Sequence, residues 1–447
     1  MYDPQQLSLA GKASALFALG RIPLASEVPL WTMFGCIVSH KTFPTSESFD
    51  YIAMLQCMLV TWGTNISINY GNEYFDWQMD RPGQVAAIKR EVEKRKALSG
   101  GGGSGEKARE GVSGHALSHS QEGLTDTDKL STKRELNEKI MGNTTRIIHD
   151  GTFPPWVSLV LSGFVQLLII AMILYSRNLD PLLNPSSTST RTTPFKGFAL
   201  WVGTISTFLS QEYVGPPLRL HYNSLGEIVS ALFLSPVSVI WGLSGYYTAT
   251  HPSSRLITAA DVLFAPTIGQ FGLDKTLWIM LGAMYCFEQA RVLIMHIHDI
   301  DADILGGKIT LVVRLGYLNA ARLYVGLNVV GVMLWGSLIR RLVQGKGAML
   351  GDVGMWGMKA ASRGSYEAVG KGWAIGVGIV LAYSIPIIVL TITSLFSNIP
   401  NRPKSTAPAL GVIPIVPHME LVKLVSLQLL ISPLVLSTAV VLAGKAQ

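Results

Sequence analysis

The stretch "YIAMLQCMLVTWGTNISINYGNEYFDWQMD", residues 51 to 80, decides the fold class because an apolar run leads directly into carboxylates. Residues 51 to 71 contain no charged side chain, and a helix of about 20 mostly apolar residues is long enough to cross a bilayer. Glu73, Asp76 and Asp80 follow within nine residues. The segment therefore predicts a transmembrane helix that ends in an acidic, water-facing site.

The composition of the whole chain is typical of a polytopic membrane protein. Of its 447 residues, 49% are hydrophobic and only 15% are charged. We attribute the net charge of +7 to Lys and Arg in cytoplasmic loops, and we expect no nucleic-acid partner. The three cysteines lie in apolar segments, so no disulfide framework is expected. The N-terminus lacks the apolar core of a cleavable signal peptide.

Apolar segments of spanning length recur along the chain. We predict an all-α fold in which residues 1–447 form a single membrane domain in a lipid bilayer. About nine transmembrane helices are expected, near residues 23–41, 51–74, 155–176, 196–211, 227–249, 275–297, 318–339, 372–396 and 419–443.

One long segment between the second and third spans differs from the rest. Residues 84–142 mix charges with a Gly/Ser run and lack apolar periodicity, so we predict a flexible cytoplasmic insertion. The excess of Lys and Arg in the loop 77–154 marks its face as cytoplasmic, although the opposite loop 340–371 is also basic. The acidic segments should face the cytoplasm. The organelle stays open: endoplasmic reticulum or mitochondrial membrane if the protein is eukaryotic.

Acidic side chains recur at helical spacing at the ends of two spans. The first cluster is Asn72, Asp76 and Asp80, and the second, within "HIHDIDADILGGKITLVVRLG", is Asp299 and Asp303. With nine spans, both clusters fall on the same face of the membrane. Magnesium prefers six oxygen ligands shared among carboxylates, water and phosphate, so the clusters predict a Mg²⁺-diphosphate site. The alternative is ordinary interfacial charge at the ends of membrane helices.

Basic residues and glycines follow the second cluster. Lys308 and Arg314 would hold phosphate oxygens, and Gly306 and Gly307 would let the backbone approach them closely. A metal-bridged diphosphate is a better leaving group, because the ions stabilise the charge that develops on it. The pattern therefore favours chemistry on a diphosphate ester.

These segments together resemble the UbiA superfamily of intramembrane prenyltransferases. "NEYFDWQMD", residues 72–80, is similar to the family motif NDxxDxxxD. "DIDADILGGKITLVVRLG", residues 299–316, is similar to its second motif, DxxxD with a GKxTLxVRLG tail. "RIIHDG", residues 146–151, resembles the segment before the family's third helix. "EYVGPPLRLHYNSLGEI", residues 212–228, resembles a loop of the 1,4-dihydroxy-2-naphthoate prenyltransferase branch.

The resemblance implies an all-helical fold with nine spans and a set of site residues. Magnesium would be bound by the family motif positions Asn72, Asp76, Asp299 and Asp303, to which we add Asp80 from its spacing. Asp76 and Asp299 would be catalytic. Diphosphate would be held by Arg21, Arg146, Arg219 and Lys308, and we assign Tyr213 and Arg314 to the same task.

The chain also departs from the family pattern. Glu73 replaces the usual Asp of the first motif, and Met295, His296 and His298 replace the two Asn and the Arg that open the second motif in the naphthoate branch. We assign His298 as a general base for an aromatic acceptor, because its ordinary pKa lies near neutrality. The alternative is a polar helix end near water.

Two charges, Glu288 and Arg291, lie inside the sixth predicted span, three residues apart. Charges at that depth are usually paired or functional. A mutual ion pair that fixes helix packing and a functional role are both consistent with the spacing.

Three functions are consistent with the sequence. The first is a magnesium-dependent prenyltransferase that passes a prenyl group from a prenyl diphosphate to an aromatic or quinoid small molecule. The second is a UbiA-type terpene cyclase, which would act on farnesyl or geranylgeranyl diphosphate without an acceptor. The third is a non-enzymatic transport or scaffold protein, in which the two acidic clusters would be coincidental.

Overall fold

Helices form the described part of the chain. The structure is a computed structural model, and it describes residues 8–22, 27–42, 48–99, 153–175, 208, 211–250, 275–306, 308–343, 363–397 and 418–445. These residues contain no strand. The helices are α1 (Leu9–Leu19), α2 (Glu27–Thr42), α3 (Tyr51–Ser99), α4 (Pro155–Tyr175), α5 (Gly226–Leu232), α6 (Ser238–Thr250), α7 (Lys275–Gly306), α8 (Leu311–Val343), α9 (Arg363–Ser397) and α10 (His418–Lys445).

Seven of the described helical segments are long and apolar enough to cross a bilayer. They are Tyr51–Trp77, Pro155–Ile173, Gly226–Tyr247, Leu277–Ile300, Leu311–Val343, Trp373–Ser397 and Glu420–Leu442. The all-helical, multi-pass membrane architecture predicted from hydropathy is confirmed. The count of nine stays a prediction, because α2 has 16 residues and most of 196–211 lies outside the described residues. The side on which each loop lies also stays a prediction.

Helix α7 forms the centre of the bundle. The most apolar part of its span is 72% buried, against 22% for the span of α4. α7 packs against α3, α5, α8 and α10. The outward face of α4 is instead apolar and exposed, with Leu159, Phe164 and Leu167, as expected of a helix in contact with lipid.

Helices α2 and α6 cross at backbone contact distance. A Cβ atom at Gly242 would meet the carbonyl oxygen of Thr32, and one at Gly35 would meet the carbonyl oxygen of Val239. Small residues allow this approach between helices in a membrane, where van der Waals contact replaces the hydrophobic effect.

Two local distortions shape the bundle around the site described below. Gly316 has φ 72°, a left-handed value that glycine tolerates, and it kinks α8 near its start. Between α5 and α6, the π-helical turn Phe233–Val237 contains Pro236, which cannot donate a backbone hydrogen bond. Turns of this type widen a helix locally and recur at functional sites.

Helix α3 continues well beyond its membrane span, to Ser99. Residues 84–99 of the predicted insertion are therefore helical, and they are rich in Ala, Glu, Lys and Arg, which are strong helix formers. The remainder of the predicted insertion, residues 100–142, lies outside the described residues.

Candidate functional site

The end of the membrane span of α3 (Tyr51–Trp77), called the end of α3 from here on, meets the end of α7 at one end of the bundle. Lys308, which follows α7, places its Nζ 3.3 Å from Oδ2 of Asp76 on α3. The backbone N–H of Lys308 donates to the carbonyl of Asp303 at 2.9 Å. Lys308 is 7% exposed and Asp303 is 6% exposed. The two sequence clusters are thus parts of one largely buried polar site.

A loop covers this site and contributes Tyr222. We call residues 211–225 the capping loop. Tyr222 lies in its short 3₁₀ turn, Leu220–Asn223, and its hydroxyl donates to Oδ1 of Asp76 at 2.5 Å. Lys308 Nζ lies 6.0 Å from the centre of the Tyr222 ring. Asp76 therefore interacts with a hydroxyl through one oxygen and with an ammonium group through the other.

Hydrogen bonds tie the capping loop to the neighbouring helices. Gln211 donates to Ser67 Oγ of α3 at 3.0 Å, where its amide joins a buried network that includes Ser162 and Gln166 of α4. At the other end, Ser224 Oγ donates to the carbonyl of Ile309 at 2.8 Å. Because the loop is held at both ends, Tyr222 is fixed relative to α3 and to the α7–α8 connection.

Glu227 strengthens the same junction from the start of α5. Its side chain is fully buried, and its Oε1 accepts the backbone N–H of Leu311, the first residue of α8, at 2.6 Å. A carboxylate at the N-terminus of a helix is stabilised by the unpaired N–H groups there. This bond places α8, and with it Lys308, against the loop.

A second basic residue reaches the site from the connection that follows α1. Arg21 Nη2 lies 3.0 Å from Oε1 of Glu73, which is 4% exposed. Burial opposes the charge of Arg21, but Glu73 outweighs this effect and raises the pKa of Arg21 above its ordinary value. Arg21 is therefore a permanent cation beside the end of α3. Its Nε and the Oδ1 of Asn72 have no hydrogen-bond partner among the described residues.

A histidine of the capping loop is in contact with a histidine of α7. The rings of His221 and His296 are 5.0 Å apart between centroids, and His296 Nδ1 lies 3.7 Å from Oδ2 of Asp303. Burial, and after it the neighbouring His296, lowers the pKa of His221 to about 3. His221 is therefore neutral at physiological pH. Burial also raises the pKa of Tyr213, which packs on His221 and keeps its hydroxyl proton.

A cavity of about 250 Å³ extends from this polar end into the bundle. Its polar end is lined by Arg21, Asn69, Asn72, Tyr213 and His296. Its apolar wall includes Val60, Ile68, Val229, Phe233, Leu234 and Trp241, partly from the π-helical turn. The cavity is thus amphipathic, as is expected of a site for a ligand with a polar head and an apolar body.

The other predicted site residues are distributed unevenly around this cavity. Asp299 and His298 are exposed at the end of α7, and neither lines the cavity. Arg219 and Arg314 are exposed and also lie off its wall. Asp80 lies on α3, in a part whose side chains are outside the description, and Arg146 lies outside the described residues.

Sequence reasoning did not assign Tyr222 or His221. Both lie in "LHYN", residues 220–223, which places two polar aromatic side chains next to each other in a loop between apolar spans. That juxtaposition is the signal that would have pointed to them. Their contacts with Asp76 and His296 depend on the packing of three helices and cannot be predicted from spacing.

A magnesium site needs several oxygen ligands close together. No group of three or more His, Cys, Asp or Glu side chains comes together as a metal site within the described ranges. The donor chemistry nevertheless fits a hard cation, because Asn72, Asp76, Asp299 and Asp303 offer only oxygen on this side of the bundle. Asn72 lines the cavity and lies one helical turn before Asp76. Its Oδ1 has no hydrogen-bond partner among the described residues.

No protein-family model, curated protein or solved structure matches this chain. The resemblance to the UbiA superfamily therefore rests on the sequence motifs quoted above.

Proposed function

We propose that the protein is a magnesium-dependent intramembrane prenyltransferase, which passes a prenyl group from an isoprenyl diphosphate to an aromatic or quinoid acceptor. The observation that carries this proposal is the amphipathic cavity headed by the joined ends of α3 and α7. A prenyl diphosphate has the same division into a charged head and an apolar tail. The sequence resemblance to the UbiA superfamily supports the same function.

Two cations near the polar end of the cavity are suited to a diphosphate. Arg21 lines the cavity and lies beside Glu73, and Lys308 lies outside the cavity wall beside Asp76, one helical turn further along α3. Their N–H groups would donate to phosphate oxygens with charge assistance. Tyr213, protonated because it is buried, would add a neutral donor.

The neighbours of Asp76 would fix the orientation of its carboxylate. The Tyr222 hydroxyl fixes one of its oxygens, so the carboxylate is held in one rotamer before any ligand binds. Magnesium, held by Asn72, Asp76, Asp299 and Asp303, would supply positive charge that stabilises the leaving diphosphate.

The apolar wall would surround the isoprenoid tail. Phe233, Trp241 and Val60 present hydrocarbon to the cavity, and the bundle around them excludes water. An allylic cation formed there is protected from capture by water, which is a requirement shared by transferases and cyclases.

The cyclase remains the second candidate, because of one observation about the base. His298, assigned as the base for an acceptor, is exposed and does not line the cavity. A cyclase needs no acceptor base, since the cation reacts with its own tail. His296, which does line the cavity, would serve a transferase in its place.

The test combines two variants with product analysis. Asp76→Asn keeps an acceptor for Tyr222 while removing a charged oxygen, and Asp299→Ala removes an exposed carboxylate. We expect each to lower turnover by roughly 10²–10³-fold, the scale of losing one group that stabilises developing charge. Glu420→Gln, an exposed carboxylate paired with Lys423, is the matched control and should retain full turnover.

Products separate the candidates. Membranes containing the protein are incubated with farnesyl or geranylgeranyl diphosphate, with and without a phenol, and the products are identified by mass spectrometry. A prenylated ring supports the transferase, and a hydrocarbon formed without phenol selects the cyclase. Wild-type turnover in Asp76→Asn and Asp299→Ala, or in excess chelator, would falsify the metal-diphosphate mechanism.

A further inference from the structure

Three charged side chains meet inside the bundle, away from the joined helix ends. Arg291 Nε donates to Oε1 of Glu288 at 2.8 Å, and its Nη2 contacts the same oxygen. Nη2 also lies 3.7 Å from Oε2 of Glu27, the first residue of α2. Glu27 is 5% exposed, Glu288 is 0% and Arg291 is 8%. Glu288 and Arg291 form the ion pair that was one of the two alternatives for these charges, and Glu27 joins it.

This group contains two carboxylates for one guanidinium. Glu27 Oε1 and Glu288 Oε2 have no hydrogen-bond partner among the described residues. The remaining donor nitrogen of Arg291, Nη1, lies 3.7 Å from the sulfur of Met295. Buried carboxylate oxygens without a donor are costly, so an additional hydrogen-bond donor would be stabilising here.

Glu27 and Arg291 line the cavity that Arg21 and Asn72 line at its polar end. Arg291 is eight residues before Asp299 on α7, which is a distance of about 12 Å along the helix. The cavity therefore has a second polar position, deeper in the bundle than the cationic head. The two positions differ in composition: the head combines Arg21 and Lys308 with the carboxylates proposed for magnesium, and the inner position has two carboxylates and one guanidinium.

We infer that Glu27 binds the hydroxyl group of a neutral phenolic or quinol ring at the inner end of the cavity. The inference rests on the proposed function, because it assigns the acceptor's class to that same site. A ring hydroxyl would donate to a carboxylate oxygen of Glu27, while Arg291 holds that carboxylate in place. An aromatic carboxylate would be disfavoured at this position, because Arg291 is already engaged by Glu288 and a third carboxylate would have no cation to pair with.

The first experiment needs no variant. Full-length protein in detergent micelles is dialysed at pH 8 against radiolabelled naphthol, its methyl ether, or naphthoate. We expect naphthol to bind at least about 10-fold more tightly than either of the other two, the scale of one hydrogen bond to a charged group. Equal binding of naphthol and its methyl ether, which cannot donate, overturns the inference.

The second experiment uses Glu27→Gln, which keeps the shape of the side chain and removes its charge. Naphthol binding should weaken by about 10-fold while naphthoate binding improves, because one carboxylate fewer then competes for Arg291. These opposite shifts distinguish loss of the charge from a general loss of structure, which would weaken both ligands. Parallel weakening of both, or no change in either, overturns the inference. Glu420→Gln should resemble the wild type.

A further measurement distinguishes failure of this inference from failure of the proposed function. Thermal stabilisation by farnesyl diphosphate with magnesium reports on the cationic head and should be equal in wild type and Glu27→Gln. If the naphthol preference is found without any effect of farnesyl diphosphate, the inner site stands and the prenyltransferase proposal fails. If farnesyl diphosphate stabilises the protein and naphthol shows no preference over its ether, the inner site fails alone.

Discussion

Replacing Tyr222 by Phe isolates one contact between the capping loop and α3. The substitution removes only the hydroxyl that donates to Asp76 at 2.5 Å and keeps the ring. A hydrogen bond to a charged group stabilises a protein by roughly 1.5–3 kcal/mol. Because the Asp76 side chain is 21% exposed, water can partly replace the lost donor. We therefore expect the low end, a loss of about 1.5 kcal/mol in the free energy of unfolding.

The measurement is reversible unfolding of the purified protein in mixed micelles, with stepwise addition of a denaturing detergent and tryptophan fluorescence as the signal. Tyr74→Phe is the matched control. Tyr74 lies on the same turn of α3 as Asp76, and its hydroxyl makes no hydrogen bond among the described residues. It should change the free energy of unfolding by less than about 0.5 kcal/mol.

If the bond is catalytic as well as structural, Tyr222→Phe should also lower turnover, while Tyr74→Phe should not. A loss of stability in Tyr222→Phe that is no larger than in Tyr74→Phe would refute the reasoning, because the capping loop would then not be fixed by this contact. The unfolding measurement needs no knowledge of the substrate.

Two further predictions concern stability. The first concerns His221, whose pKa falls from 6.5 to about 3 in the folded protein, so that the folded state loses stability as the pH falls below 6.5. Between about pH 8 and pH 5 we expect the free energy of unfolding to fall by roughly 2 kcal/mol. His221→Gln should remove this pH dependence in the same unfolding assay. The second is that Gly242→Ala should lower the free energy of unfolding by about 1–3 kcal/mol, because its Cβ would meet the backbone oxygen of Thr32. Gly336→Ala is the control, because there is open space around Gly336 and the substitution should be neutral or stabilising. Equal effects of the two substitutions would contradict the close crossing of α2 and α6.

The spans could be predicted because the thickness of the bilayer fixes the length of a spanning helix, and apolar runs of that length are visible in the sequence. The start of α8 shows the limit of that signal. The apolar pattern predicts a span that begins near residue 318, after Arg314 and Gly316. The helix instead begins at Leu311 and continues through a kink at Gly316. An exposed arginine and a glycine interrupt an apolar pattern without ending the helix, since Gly316 bends the chain and Arg314 points away from the core.

The site could be predicted only in part. The i, i+4 spacing located Asp76 and Asp303 at helix ends, and counting of spans placed those ends together. The partners that complete the site lie far away in the chain: Tyr222 is 146 residues from Asp76. Glu27 and Arg291 likewise lie on helices that are far apart in the sequence. Such contacts arise from helix packing, on which composition and periodicity carry no information.

The buried charges of α7 also have a consequence for how the protein enters the membrane. A single charged residue at the centre of a span opposes insertion by about 2.5–3.5 kcal/mol. Glu288 and Arg291 are one turn apart on the same helix, so α7 leaves the ribosome with its two charges already neutralising each other. The surplus charge belongs to α2, which is synthesised long before. Assembly of the bundle therefore joins a helix whose own charges are paired to the carboxylate of a helix that is made earlier.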